Sequence, residues 1–243
     1  MTQSSWEFFF DLAIEQKLYS NKRNLKTHLN FIFDDFDFKG KNMLDVGGGS
    51  GLLSFYAGLS GGYSICLEPE LNGSSSSSLK KFDNLQKKLS NMSGKVEYEA
   101  KSFQDYESQN KFDIIVMANS VNHLDENATI DLHENKESRE IYKKLFSKVH
   151  RLLKQNGILI ITDCNRYNFF HSIGLKSPFM PTIEWQKHQS PYTWSKLLNE
   201  VGFKFQSLNW SSPNGLGRIA RVLLSNPLCA FFLLSHFKIK FLR

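Results

Sequence analysis

The apolar positions along this chain change period repeatedly, and each change marks an element. Trp6, Phe9, Phe10, Ala13 and Ile14 recur at helical spacing, as do Leu25, Leu29, Ile32 and Phe33, so two helices precede the first strand. Residues 42–46 form a largely apolar run that enters a glycine turn, and the apolar pattern resumes at Leu52, Leu53, Phe55 and Tyr56. That order reads as strand, loop, helix. A second strand is expected at 63–67 and a helical stripe at Leu79, Phe82, Leu85 and Leu89. The serines at 74–78 then read as a polar first turn of that helix rather than a linker. Residues 96–100 predict a third strand, and 112–117 are continuously apolar enough for a central parallel strand covered on both faces.

The second half repeats the alternation less regularly. Ile141, Leu145, Val149, Leu152 and Leu153 predict a helix stopped near Gly157, followed by a strand at 158–162. Residues 163–190 keep no period and include Pro178, Pro181 and Trp185, which suits a lid or binding loop. Pro191, Trp194, Leu197, Leu198 and Val201 predict a helix ended by Gly202, then a strand at 203–210 and a last helix at about 216–224. A terminal strand follows, in which Phe237, Ile239 and Phe241 alternate with Lys238, Lys240 and Leu242. A single domain is expected, with a helical cap at 1–40, a core at 41–162, a lid at 163–190 and the rest of the sheet at 191–243.

Composition narrows this little. The 243 residues are 41% hydrophobic and 14% aromatic, with 21 phenylalanines, so the chain folds around a sizeable core. A net charge of +6 and a pI of about 9.1 favour anionic partners only modestly. Cys66, Cys164 and Cys229 lack paired spacing, so neither a disulfide framework nor a zinc site is expected. The N-terminus lacks signal-peptide character, the late apolar segment 228–234 is far shorter than the ~20 residues of a membrane span, and a cytoplasmic address follows as the expectation.

The glycine turn carries the chemistry. Glycine admits positive φ and close approach of a ligand, and the first turn of the following helix leaves amide donors free. A dinucleotide fingerprint is excluded, because the sixth place is Leu52 counted from Gly47 and Ser54 counted from Gly49. What stands here is Asp45-x-Gly47-x-Gly49-x-Gly51, with Glu68 closing the next strand. This resembles the first two motifs of class I S-adenosylmethionine-dependent methyltransferases, in particular the small-molecule branch of the ubiquinone and menaquinone biosynthesis type. The resemblance implies an α/β fold with a doubly wound, mostly parallel seven-stranded sheet, the last strand antiparallel. It implies that the glycine loop holds the methionine end of S-adenosylmethionine and that Glu68 takes both ribose hydroxyls, as a carboxylate with two acceptor oxygens can. Ser102 and Phe103 are the nearest matches to the adenine contact, with Asp105 two or three residues late. Trp6, Phe9 and Tyr19 either line a pocket under the cap or pack in the core.

Methyl transfer needs an acceptor positioned behind the methyl carbon, and a base only where the acceptor loses a proton. The carboxyl end of strand 4 delivers Asn119, Asn122 and His123, where α/β sheets place ligands. Asn119 is assigned to the cofactor. His123 is the first candidate base, against a loop-anchoring role, and His188 in the lid is the second, against a lead-in to the next helix. A metal-dependent catechol-type site fits poorly, since Cys164 splits Asp163 from Asn165. Nucleobase amino methylation is disfavoured because no prolines follow Asn119. The expected partner is a small hydroxylated molecule. Peripheral membrane contact through the C-terminal aromatic and basic segment is a further expectation, and a non-catalytic cofactor-binding subunit or a macromolecular acceptor are the alternatives.

Overall fold

A computed structural model describes residues 3–34, 36–69, 78–91, 94–213 and 222–243. The fold is a seven-stranded sheet of order β3-β2-β1-β4-β5-β7-β6. By contacts the chain forms two compact units, 1–118 and 119–243.

The first unit begins with helices α1 (Gln3–Glu15) and α2 (Lys22–Phe33). Asn21 caps α2 by accepting from the Asn24 amide at 2.9 Å. Strands β1 (Asn42–Val46), β2 (Tyr63–Leu67), β3 (Val96–Glu99) and β4 (Phe112–Ala118) follow, with α3 (Leu52–Leu59) and α4 (Ser78–Leu89) between them. β2 and β4 flank β1, both parallel to it, and β3 runs parallel along the far side of β2. Leu44, Ile65, Ile114 and Val116 are buried, as strands covered on both faces require. Of the expected helix stripe, Phe82, Leu85 and Leu89 form the buried face of α4, while Leu79 is exposed in its first turn. Of the serine run, Ser78 opens α4, while 74–77 lie outside the described residues.

In the second unit a single 3₁₀ turn at Val121–His123 leads into α5 (Glu126–Ile130) and α6 (Lys136–Leu152). Strand β5 (Leu153–Cys164) begins directly at the end of α6, so the helix stops at Leu152, before Gly157. The left-handed residue that turns the chain is Asn156, at φ 60°, an αL role its short side chain tolerates. The 163–190 stretch holds a short helix α7 (Phe169–Ser172) and a 3₁₀ turn at Trp185–Lys187. Ser190 and Pro191 then start α8 (Pro191–Glu200), the Ser190 side chain accepting from the Thr193 amide at 3.1 Å. β6 (Lys204–Trp210), α9 (Pro227–Phe232) and β7 (His236–Leu242) complete the chain. β7 lies antiparallel to both β5 and β6, and Phe237, Ile239 and Phe241 are buried, as the terminal alternation predicts. The expected helix at about 216–224 falls mostly outside the described residues, which resume at 222.

Candidate cofactor cradle and a buried histidine–aspartate pair

The glycine turn is tied down at the carboxyl ends of β1 and β2. The amides of Gly47 and Gly48 both donate to the Leu67 carbonyl, at 2.8 and 3.3 Å, and the Gly49 amide donates to Glu68 Oε2 at 2.8 Å. Glu68 Oε1 has no hydrogen-bond donor among the described residues. Gly47, Gly49 and Gly51 all take positive φ, and a Cβ on Gly49 would meet nothing within 4 Å, so the turn faces open space there. The amides of Ser50, Leu52 and Leu53 have no acceptor among the described residues, as the first turn of a helix leaves them. Gly48 is constrained by packing, since a Cβ there would lie 2.7 Å from Cys66 Sγ and 2.8 Å from Asp45 Oδ2. A periodic reading singles out positions 47, 49 and 51 and passes over 48, because a steric limit set by a neighbouring strand leaves no trace in local spacing.

Asp45 lies beneath this turn, 1% exposed, and accepts from Ser54 Oγ at 3.0 Å while its Oδ1 has no partner among the described residues. Burial pushes its carboxyl up to about 7; the hydroxyl and amide of Ser54 pull it down, and the nearby Glu68 charge adds to the rise. Burial likewise pushes the Cys66 thiol well up, so it is an inert packing group. Ser102 Oγ donates to Asp105 Oδ2 at 2.6 Å, which joins the late acidic residue to the predicted position, and Phe103 is buried. Phe9 is core. Trp6, Phe10 and Tyr56 instead line an open cavity of about 240 Å³ together with Lys26, Leu29 and Asn30. Tyr19 stacks on His28, whose imidazole burial holds down at about 4.

In the second unit Asn119 sits at φ 54°, its amide donating to the Thr162 carbonyl at 2.8 Å and its Oδ1 accepting from His236 Nε2 at 3.0 Å. The two candidate histidines differ sharply. His123 is exposed and bonds through Nδ1 to Glu126 Oε1 at 2.7 Å, while Lys187 bridges Glu126 and Glu184, each at 3.0 Å. His188 is buried, with Nδ1 2.8 Å from Asp163 Oδ1, and its Nε2 makes no hydrogen bond among the described residues. Asp163 is fully buried; its Oδ1 also accepts from the Cys164 amide at 2.7 Å, while Oδ2 has no partner among the described residues. Gln189 Nε2 anchors the next residue by donating to the Thr129 carbonyl at 2.5 Å. Thr129 Oγ1 in turn bonds the Asn122 carbonyl at 2.9 Å and the Tyr142 hydroxyl. Asp163 stands at the end of β5, the position where α/β sheets gather ligands, and that is the one signal that marks it in the sequence. Among the described residues no group of three His, Cys, Asp or Glu side chains is placed to hold a metal ion.

A family profile described as a methyltransferase domain matches residues 18–208. A comparison with curated proteins gives no match. Among solved structures, an S-adenosylmethionine-dependent methyltransferase from Mesorhizobium loti is 15% identical, covering 89% of this chain and 96% of that one, with a TM-score of 0.59. Magnesium protoporphyrin IX methyltransferase from Synechocystis PCC 6803 with bound S-adenosylmethionine is 12% identical, covering 90% and 78%, with a TM-score of 0.55. The N-methyltransferase NodS from Bradyrhizobium japonicum WM9 is 11% identical, covering 91% and 96%, with a TM-score of 0.56. At these identities the likeness is one of fold, whereas the profile spans most of the chain: it belongs to the methyltransferase-domain family, with S-adenosylmethionine as its cofactor.

Proposed function

We propose that this methyltransferase acts on a hydroxyl oxygen of a small molecule, with His188 as the base and Asp163 as the residue that positions it. The observation that carries the reading is the 2.8 Å bond from His188 Nδ1 to the buried Asp163. A carboxylate on Nδ1 fixes the proton there and leaves Nε2 as the acceptor, the tautomer a base needs. His123, exposed and held by Glu126, anchors the loop after β4 instead.

The cofactor fits the turn in the first unit. The free amides of Ser50, Leu52 and Leu53 suit its carboxylate, Glu68 Oε1 suits the ribose hydroxyls, and the open side of Gly49 admits close approach. Asp45, Gly47 and Gly51 shape the turn from below, Ser102, Phe103 and Asp105 serve the adenine ring, and Asn119 holds the loop after β4 through His236. S-adenosylmethionine supplies a methyl group already activated by its positively charged sulfur. With the cofactor bound and an acceptor hydroxyl held behind its methyl group, His188 Nε2 would take the hydroxyl proton as the methyl group passes to that oxygen.

The test is a screen of hydroxylated compounds for a mass gain of one methyl group, run with wild type, Glu68→Ala and His188→Ala. Turnover that survives His188→Ala undiminished on a hydroxyl acceptor overturns the base. Methylation of amines alone moves the acceptor atom to nitrogen, as in the name of NodS.

A further inference from the structure

Among the described residues, six exposed large apolar side chains gather on and around two short helices of the second unit. Tyr167, Ile173, Leu175, Phe179, Leu228 and Phe232, on and beside α7 and α9, are each between 42 and 67% exposed. They form one surface because the rings beneath them are continuous: Phe179 meets Phe170 at 6.3 Å, Phe170 meets Phe169 at 5.4 Å, and Phe169 meets Phe232 at 4.9 Å. Asn168 ties the two helices together, its Nδ2 donating to the Phe231 carbonyl at 3.2 Å and to Ser235 Oγ at 2.9 Å. A cluster of this kind on a soluble surface is unfavourable unless something apolar meets it.

The charge pattern identifies what does. No Asp or Glu occurs from Cys164 to Ile183, nor anywhere from Val201 to Arg243, so the only formal charges in both segments are cationic. Lys176 stands exposed directly after Leu175 and makes no ion pair among the described residues, and Arg166 precedes Tyr167. A protein partner would place acids at an apolar patch as readily as bases. Aromatic and aliphatic side chains flanked in the chain by Arg166 and Lys176, with the neighbouring Glu184 paired to Lys187 at 3.0 Å, suit the interface of a bilayer with anionic headgroups, where rings enter the headgroup boundary and each nearby cation adds attraction.

We propose that the α7 and α9 surface docks this protein on a bilayer carrying anionic lipids. The inference does not depend on the proposed reaction, since nothing in it involves the cofactor cradle or His188.

Co-sedimentation of the full chain with phosphatidylcholine vesicles, with and without phosphatidylglycerol, tests it. The anionic vesicles pellet the protein, raised salt releases it, and Phe179→Asp with Phe232→Asp lowers the partition by about tenfold or more while the circular dichroism stays that of wild type. If that double variant fails to fold, Lys176→Glu alone lowers partition into the anionic vesicles several-fold. Failure of the wild type to pellet with either vesicle overturns the proposal, as does binding that neither variant nor salt changes. Concentration-dependent dimerisation that the double variant abolishes, without vesicle binding, assigns the surface to a second copy and equally overturns it.

Discussion

Asp163 and His188 stand 25 residues apart in sequence yet bond at 2.8 Å, with Asp163 wholly enclosed. An isolated carboxylate is costly to bury, and its pairing with the imidazole is what makes the position tolerable. Asp163→Asn keeps the shape but turns an acceptor toward Nδ1 into an amide that favours the other tautomer. On a hydroxyl acceptor, kcat falls by about 10²–10⁴ with KM little changed, the range expected for loss of base catalysis. The deficit shrinks when the acceptor hydroxyl is made more acidic, because less help is then needed to remove its proton. A deficit that is constant along a series of substituted phenols marks a structural role instead. Asp45 makes a separate prediction about pH. Its carboxyl rises to about 7 in the fold, against about 4 in an unfolded chain. Between those values the native state binds the extra proton, so stability falls as pH rises through the window and levels off above it, by up to roughly 4 kcal/mol. Urea unfolding of the cofactor-free protein at pH 5 and pH 8 measures this, and Asp45→Asn removes most of the difference. A wild-type stability that is flat between those values refutes the assignment.

At the scale of elements, the glycine turn works because β1, β2 and α3 hold it from three sides. Leu67 O receives two of its amides and Glu68 receives a third, so β2 fixes the loop that follows β1. Gly48→Ala places a methyl group 2.7 Å from Cys66 Sγ, inside a strand that cannot move alone. A loss of about 1–3 kcal/mol is expected, with weaker cofactor binding; Gly48→Ala with Cys66→Ala recovers only the part due to Cys66, since Asp45 Oδ2 lies 2.8 Å from the same methyl group, and a double-mutant cycle in urea reads that part directly. Local pattern carries the strands and the motif, since apolar runs such as 63–67 and 112–117 register burial on both faces. It does not carry element ends that depend on backbone conformation. The α6 helix stops at Leu152 because the backbone turns extended at Leu153, with ψ 148°, while Gly157, the residue that looks like the stop, sits inside the strand beside the left-handed Asn156.

For the molecule as a whole, the parallel strands follow from the alternation of strands and helices, while the antiparallel β7 is what the family resemblance implies and the strand order comes only with the assembled sheet. Contacts that join residues far apart, Asp163 with His188 or Cys66 with Gly48, follow from the assembled fold and have no local pattern to announce them. The same assembly makes cofactor binding a property of the folded state alone, because the turn and Glu68 come together only when β1 and β2 pair. A ligand bound only by the native state stabilises it by mass action, about 2.7 kcal/mol at a hundredfold excess over Kd. For a chain of this length that raises Tm by about 5–10 °C. S-adenosylmethionine and its demethylated product should both produce the shift in a thermal scan, each in proportion to the logarithm of its concentration. Glu68→Ala, which removes a buried carboxylate whose Oε2 holds the Gly49 amide and whose Oε1 faces the ligand, should lower the unliganded Tm by a few degrees and reduce the shift at the same concentration. An unliganded Tm that collapses in Glu68→Ala would instead make Glu68 a brace for Gly49, and a wild type that shows no shift with either compound would remove the cradle from this turn.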